Sequence, residues 1–414
     1  MERAVALNAK ARAASFALPG SLQVEREMFG AARLRFAPEP RGMALGPPRT
    51  ALNDAYADAM QDVAQRHPEN VWVLYFAADA QMNTMPWNYW EEMLPAGKGK
   101  TLRPRLAKAR AYLEAALKKE PKHAGALHLE LHLFEAAEDV YRALRASEAL
   151  ERLHVAGSEH LLHMPSHGYL RAGRYAQAVR ANEEAAAVLS EHAYPEHNVE
   201  FLVYAHSAMR QAGPALEVAV RLHALAESLL ATGRDGYEAI FPYERFVVAP
   251  LYTCVLFRDW ECVARRTAGP PPAARRVLER LFWFWARGHL LAAARGDAAG
   301  AREQLRALEA EAARLEEPLH VARYSGELYP TRPIARVLRL YLEAAVAKRE
   351  GRPHLPLLRE AAHVPFYYDE PPSLFFPAEI VYGLEAGDEE VLRAALQTHP
   401  AHRWVLDAPQ ETFI

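Results

Sequence analysis

Histidine and glutamate residues recur at helical spacing in the middle of the chain. In the stretch "HAGALHLELHLFE", His128, His132 and Glu135 lie at positions i, i+4 and i+7. At about 100° per residue, these side chains fall within about 60° of one another on one helix face. Two imidazoles at i and i+4 can both reach one metal ion at about 2.0–2.1 Å. The spacing therefore indicates a metal site.

The same spacing returns further along the chain. "SEHLLHMPSH" places His163 and His167 at i and i+4, and "PEHNVE" places His197 and Glu200 at i and i+3. The offset is 35 residues from His128 to His163 and 34 residues from His163 to His197. These offsets match the period of a helical repeat, in which equivalent positions project into one groove. We therefore expect the histidines to form neighbouring steps of one stripe.

One or two transition-metal ions fit such a stripe, because imidazole suits Cu, Fe and Zn. We favour Cu or Fe and keep Zn open. The predicted ligands are His128, His132, His163, His167 and His197, with Glu135 and Glu200 as supporting carboxylates. The alternative is that these residues are ordinary surface or core histidines, since the chain has 18 of them and some i, i+4 pairs arise by chance.

A pair of acidic residues near the C-terminus is the candidate for catalysis. Asp369 and Glu370 stand directly before two prolines in "FYYDEPPSL". Because proline restricts its own backbone and that of the residue before it, the loop is expected to be extended and oriented. Either carboxylate can serve as a general base or complete a metal shell. The alternative is an acidic segment that complements a helix dipole.

Three common enzyme motifs are missing from the sequence. "HLELH" is not the His-Glu-x-x-His motif of metalloproteases, because Glu130 projects away from His128 and His132. No glycine-rich phosphate loop follows a strand pattern, and no Gly-x-Ser-x-Gly elbow occurs. Nucleotide-dependent and serine-hydrolase functions are therefore disfavoured.

A pattern of small and aromatic residues predicts the elements that hold the histidines. The offsets of a tetratricopeptide hairpin are met by Tyr169, Gly173, Tyr175, Ala178 and Ala185. Similar patterns return with turns at Gly213 and Gly296. Such hairpins are too small to fold alone and must stack. We predict an all-α, tetratricopeptide-like α-solenoid of stacked antiparallel helix hairpins over residues 51–414, with a partly irregular N-terminal cap at residues 1–50.

Composition narrows the class of protein further. The chain has 414 residues and a formal net charge of −3, so it carries no basic footprint for nucleic acid or for a membrane surface. No run of about 20 apolar residues is present, so we expect no membrane span. The N-terminus lacks the apolar core of a secretory signal. Two cysteines make neither a disulfide framework nor a zinc ribbon, and a reducing cytoplasm is the expected location.

Longer phrases of the sequence resemble a bacterial tetratricopeptide-repeat family of poorly defined function. The phrases are His-x-x-His-Met-Pro-x-His at residues 160–167, Tyr-Asp-Glu-Pro-Pro at residues 368–372 and "MNTMPWNYW" at residues 82–90. The histidine phrase at residues 123–135 and the one around His197 belong to the same set. This family has a second histidine where the chain has Glu200. The resemblance implies metal binding, since the shared phrases are the histidine ones, and it implies no particular reaction.

Three functions remain open on the sequence. The first is a metal-dependent enzyme that oxidises a small molecule with O2 at a mono- or dinuclear centre. The second is a zinc-dependent hydrolase, in which the metal activates water. The third is a scaffold whose groove binds a peptide or a partner protein, as most tetratricopeptide arrays do. Peptide grooves are usually lined with Lys, Arg and Asn, so histidines in register favour the metal-dependent functions.

Overall fold

Helices make up most of the protein. The computed structural model describes residues 23–36, 47–92, 100–188, 195–231, 244–316, 331–364 and 376–407. The chain divides into two compact units, Met1–Ala156 and Gly157–Ile414. The all-α class predicted from the sequence is confirmed, with one small two-stranded sheet among the described residues.

The first unit contains six helices and two short strands in its described part. They are α1 (Gln23–Arg35), α2 (Pro47–Arg66), α3 (Val71–Met82), β1 (Trp90–Glu92), β2 (Lys100–Leu102), α4 (Pro104–Lys119), α5 (Ala124–Glu135) and α6 (Tyr141–Leu153). The strands are antiparallel, with Trp90 opposite Leu102. Consecutive helices pack against each other.

Small and aliphatic residues build the core of this unit. Ala31 of α1 packs in one apolar cluster with Tyr56 and Met60 of α2. The predicted boundary at residue 50 falls inside α2, so the chain is continuous helix at that point. Helix α5 is preceded by the N-cap residue His123, whose Nδ1 accepts a hydrogen bond from the Ala126 backbone N–H at 3.0 Å. A histidine here takes the N-capping role that Ser, Thr, Asp or Asn usually fill.

The second unit contains the remaining helices. They are α7 (Glu159–His163), α8 (Pro165–Arg171), α9 (Tyr175–Ala186), α10 (Pro195–Ala208), α11 (Ala212–Ala231), α12 (Glu244–Val247), α13 (Ala249–Leu256), α14 (Trp260–Arg266), α15 (Val277–His289), α16 (Ala298–Ala313), α17 (Thr331–Arg349), α18 (Leu355–Ala362), α19 (Ala378–Ala386), α20 (Glu389–Thr398) and α21 (Arg403–Leu406). A π-helical turn, Leu290–Ala294, follows α15, and a 3₁₀ turn, Arg314–Glu316, follows α16.

The turns between these helices test the predicted hairpin glycines. Gly173 and Gly296 have φ of 70° and 67°, which glycine adopts without steric cost. A Cβ atom on Gly173 would lie 2.2 Å from the Pro400 carbonyl oxygen, so close packing also requires glycine. The predicted turn at Gly213 is wrong. Arg210 takes the left-handed conformation there, with φ of 58°, and Gly213 lies in the first turn of α11, where the following proline needs no backbone partner.

The two cysteines are bonded to each other. A disulfide joins Cys254 of α13 to Cys262 of α14, eight residues later in the sequence. Disulfides persist mainly in oxidising compartments, so this bond does not support the predicted cytoplasmic location. Within the described ranges, no helix is both long enough and apolar enough to cross a membrane.

Candidate metal centre

Two short successive helices carry a pair of neighbouring histidines in the second unit, with their rings edge to face. Helix α7 is capped by Ser158 and ends at His163, and α8 begins at Pro165. Proline has no backbone N–H, so the regular helical hydrogen-bond ladder is interrupted at Pro165. Both side chains are buried, at 0% and 2% exposure. Their Nε2 atoms lie 2.8 Å apart.

A neighbouring amide fixes the tautomer of His163. Its Nδ1–H donates to the Oδ1 atom of Asn182 on α9, at 2.7 Å. The Asn182 Nδ2 group donates to the Ala178 carbonyl at 2.8 Å, and this sets which side of the amide faces the ring. With the proton on Nδ1, the Nε2 atom of a neutral imidazole keeps its lone pair. That lone pair points toward His167.

Helix α10 supplies the third histidine. The His197 ring lies 4.9 Å from the His163 ring and 5.5 Å from the His167 ring, between centroids. One donor nitrogen from each of the three histidines lies within 4.8 Å of the other two. Phe201, one turn after His197, packs its ring 4.6–4.9 Å from all three imidazoles. The three nitrogens therefore converge beside the apolar ring of Phe201.

The surroundings keep His197 neutral. The His197 side chain is partly exposed to solvent. Desolvation by the surrounding protein is nevertheless the main cause that lowers its pKa well below 6.5. The nearby His163 and His167 rings and the Arg245 guanidinium lower the pKa of His197 further. Only neutral imidazole binds a metal ion. His197 is thus in its ligating form at neutral pH.

Glu200 pairs with an arginine. Its Oε2 atom accepts a hydrogen bond from Arg245 Nη2 at 2.5 Å, and both side chains are only 3% exposed. The Glu200 carboxylate therefore balances the charge of the buried Arg245 guanidinium beside the three histidines. The carboxylate is outside the group of converging donors, so its predicted role as a ligand stays a prediction.

The histidines of the first unit are arranged differently. His128 and His132 lie on one uninterrupted helix, α5, with ring centroids 4.8 Å apart. The Nδ1 atom of His132 is 2.8 Å from Oε1 of the buried Glu135, and its N–H donates to this carboxylate. A carboxylate on Nδ1 orients a histidine for ligation through Nε2. Glu135 thus serves His132 as a positioning partner.

Three residues of the second unit's site were not predicted from the sequence. They are Asn182, Phe201 and Arg245. Phe201 carried a usable signal, because it follows His197 by four residues. Asn182 and Arg245 carried none, since they lie 19 and 45 residues from the side chains they bond.

A buried carboxylate also borders the site. Glu159 Oε1 accepts a hydrogen bond from Asn198 Nδ2 at 2.6 Å, which ties α7 to α10. Burial raises the pKa of Glu159, and the neighbouring Glu196 raises it further. His160 lies next to Glu159 but is exposed, with its ring centroid 6.3 Å from that of His163. The predicted catalytic residues Asp369 and Glu370 lie outside the described residues.

Comparison with known proteins does not assign the chain to a family. No protein-family model, curated protein or solved structure matches the chain. The similarity to tetratricopeptide-repeat proteins therefore stays a prediction. The function has to be argued from the geometry of the site.

Proposed function

We propose that the protein is a metal-dependent enzyme whose transition-metal ion is held by His163, His167 and His197. The observation that carries the proposal is the convergence of three imidazole nitrogens within 4.8 Å of one another. A small rotation of the side chains brings such atoms to the roughly 2.0–2.1 Å that metal–imidazole bonds need.

Three protein ligands are typical of a catalytic rather than a structural site. Structural zinc sites are closed by four protein ligands, whereas catalytic sites keep a position for water or substrate. Here the ligands come from α7, α8 and α10. A small-molecule substrate would bind at the open position. Asp369 or Glu370 would act there as a general base or as a supporting ligand.

The donors of His163, His167 and His197 are three imidazole nitrogens, which suit Cu, Fe and Zn. Neutral imidazoles suit copper, and a redox-active metal supports oxidation of a small molecule with O2. The Arg245–Glu200 pair beside the site is balanced in charge. We favour copper first and iron second, with a single metal ion in the second unit.

Zinc-dependent hydrolysis is the second candidate. A trio of histidines with one open position is also the ligand set of catalytic zinc, which lowers the pKa of bound water to about 7. Stacked antiparallel helix hairpins of the tetratricopeptide type would hold either centre. The burial of His163 and His167 argues against direct contact with a bound peptide. The same observations therefore support both metal-dependent activities over a peptide scaffold.

The first experiment is elemental analysis of protein purified without a histidine tag. We expect one transition-metal ion per chain, lost in a His163→Ala/His167→Ala double variant. A His354→Ala variant is the matched control, since His354 is a histidine of the same unit that pairs with Glu385 instead. Oxygen uptake by the copper-loaded and zinc-loaded proteins then separates oxidation from hydrolysis. Protein that takes up none of Cu, Fe or Zn at micromolar concentration would contradict the proposal.

A further inference from the structure

A second group of polar side chains lies on the same helix face as the candidate metal centre. His197, Phe201 and Tyr204 occupy positions i, i+4 and i+7 of α10 and therefore share one face. Tyr204 is 3% exposed and stands about 10 Å along the helix from His197. The Phe201 ring lies between the two positions, 4.8 Å from the His197 ring.

The Tyr204 hydroxyl begins a chain of hydrogen bonds. It donates to Nδ1 of His399 at 3.4 Å. The Nε2–H of the same ring donates to Oε1 of Glu379 at 3.1 Å. A His399 ring with its proton on Nε2 would accept on Nδ1 and donate from Nε2. The Glu379 side chain is 35% exposed, so the chain runs from a buried phenol to a partly exposed carboxylate.

This arrangement suits a tyrosine that gives up an electron and a proton together. Burial raises the pKa of Tyr204, so the phenol keeps its proton in the ground state. A phenol that loses one electron becomes strongly acidic and needs a base in contact. His399 is that base, and the carboxylate of Glu379 stabilises the imidazolium that forms, as in a Ser-His-Asp triad.

We propose that Tyr204 is a one-electron donor to the metal centre, with His399 as the acceptor of its proton. The proposal rests on the function proposed above. The electron leaves toward His197 past Phe201, an apolar route that carries no proton. The proton moves in the other direction, to His399 and Glu379. The positions of Phe201 and His399 thus give the electron and the proton separate paths.

The reaction balances with a peroxide as oxidant. Reduction of hydrogen peroxide to two molecules of water takes two electrons and two protons. A copper(I) ion held by the three histidines would supply one electron and become copper(II), and Tyr204 would supply the other. The O–H bond of Tyr204 breaks, its proton moves to Nδ1 of His399, and a neutral phenoxyl radical remains. The two protons that enter the water come from solvent.

The test has one arm that needs no metal. Metal-free protein is oxidised with flash-generated tris(bipyridine)ruthenium(III), and radicals are followed by electron paramagnetic resonance. We expect a tyrosyl radical whose yield falls at least tenfold in Tyr204→Phe, which removes only a hydroxyl. Tyr252→Phe is the matched control, because Tyr252 is also buried but its hydroxyl accepts from the Phe376 backbone N–H. His399→Ala should lower the yield at least tenfold, with recovery on addition of imidazole.

The second arm uses protein loaded with copper(I) under argon, to which hydrogen peroxide is added. The same radical should appear, and it should be lost in both Tyr204→Phe and His167→Ala. A radical in the first arm that survives Tyr204→Phe would overturn the proposal whatever the metal does. Bound copper with a radical in the first arm only would overturn electron donation to the centre. Protein that binds no copper would instead contradict the proposed function, and elemental analysis identifies that failure separately.

Discussion

The two histidine pairs of the protein have the same sequence spacing and different neighbours. His128 and His132 stand on a continuous helix in the first unit, and His132 is bonded to a carboxylate. His163 and His167 stand on either side of a proline break in the second unit, and His163 is bonded to an amide. Their Nε2 atoms meet at 2.8 Å.

The difference shows what an i, i+4 pair needs in order to become a site. The spacing alone places two rings side by side, as in both groups. The ring centroids are 4.8 Å apart in both pairs, and in the second unit His197 of another helix adds a third donor. The first unit offers two imidazoles and a positioning carboxylate. We therefore assign the proposed metal ion to the second unit.

The largest expected effect is the loss of a ligand in the second unit. His167→Ala should weaken copper binding by more than about 100-fold, beyond the 10–100-fold typical of outer-shell changes. His132→Ala, at the corresponding position of the first unit's pair, should change the affinity for that ion by less than tenfold. Isothermal titration with copper measures both. Equal losses in the two variants would remove the distinction between the two groups.

The next effect comes from the amide that orients His163. Asn182→Ala removes the acceptor for Nδ1–H and frees the ring to rotate, so copper affinity should fall about 10–100-fold. Asn182→Asp keeps an acceptor oxygen at the same place and should restore most of the affinity. Competition with a chromophoric chelator measures the series. An Asn182→Ala variant with unchanged affinity would show that the hydrogen bond does not position the ligand.

A smaller effect concerns the protonation of His197 as the pH falls. Burial, the neighbouring histidines and Arg245 hold the pKa of His197 below 6.5. A histidine with a pKa of about 6.5 is roughly three-quarters protonated at pH 6. A lowered pKa has the opposite consequence: the ring stays neutral at pH 6 and charges only in more acidic solution. Nuclear magnetic resonance of metal-free protein should show His197 without titration between pH 7.5 and 6, and a midpoint at or above 6.5 would be inconsistent with this.

The smallest effect is expected in the first unit. Glu135→Gln keeps an acceptor for the Nδ1–H of His132 and removes only the charge that strengthens the bond. The free energy of unfolding should fall by about 1 kcal/mol, the difference between a charged and a neutral hydrogen bond. Urea denaturation measures it. A loss of about 3–5 kcal/mol would mean that His132 is an imidazolium in a buried ion pair, unsuited to bind metal.

The sequence predicted the helical class and part of the site. Helical periodicity is local, so the spacing of His163 and His167 and the turns at Gly173 and Gly296 could be read directly. The turn at Arg210 could not, because a non-glycine residue in the left-handed region leaves no clear signal. Asn182 and Arg245 depend on packing between helices that are far apart in sequence. The disulfide between Cys254 and Cys262 was missed because two cysteines alone predict no pairing.

The most direct test is X-ray absorption spectroscopy at the copper edge of loaded protein. The proposed site predicts a first shell with three imidazole nitrogens at about 2.0 Å, detected by the multiple scattering of their rings. His167→Ala should reduce the count to two, and His132→Ala should leave it at three. A shell of oxygen ligands without imidazole scattering, or a shell that His167→Ala leaves unchanged, would contradict a copper site at His163, His167 and His197.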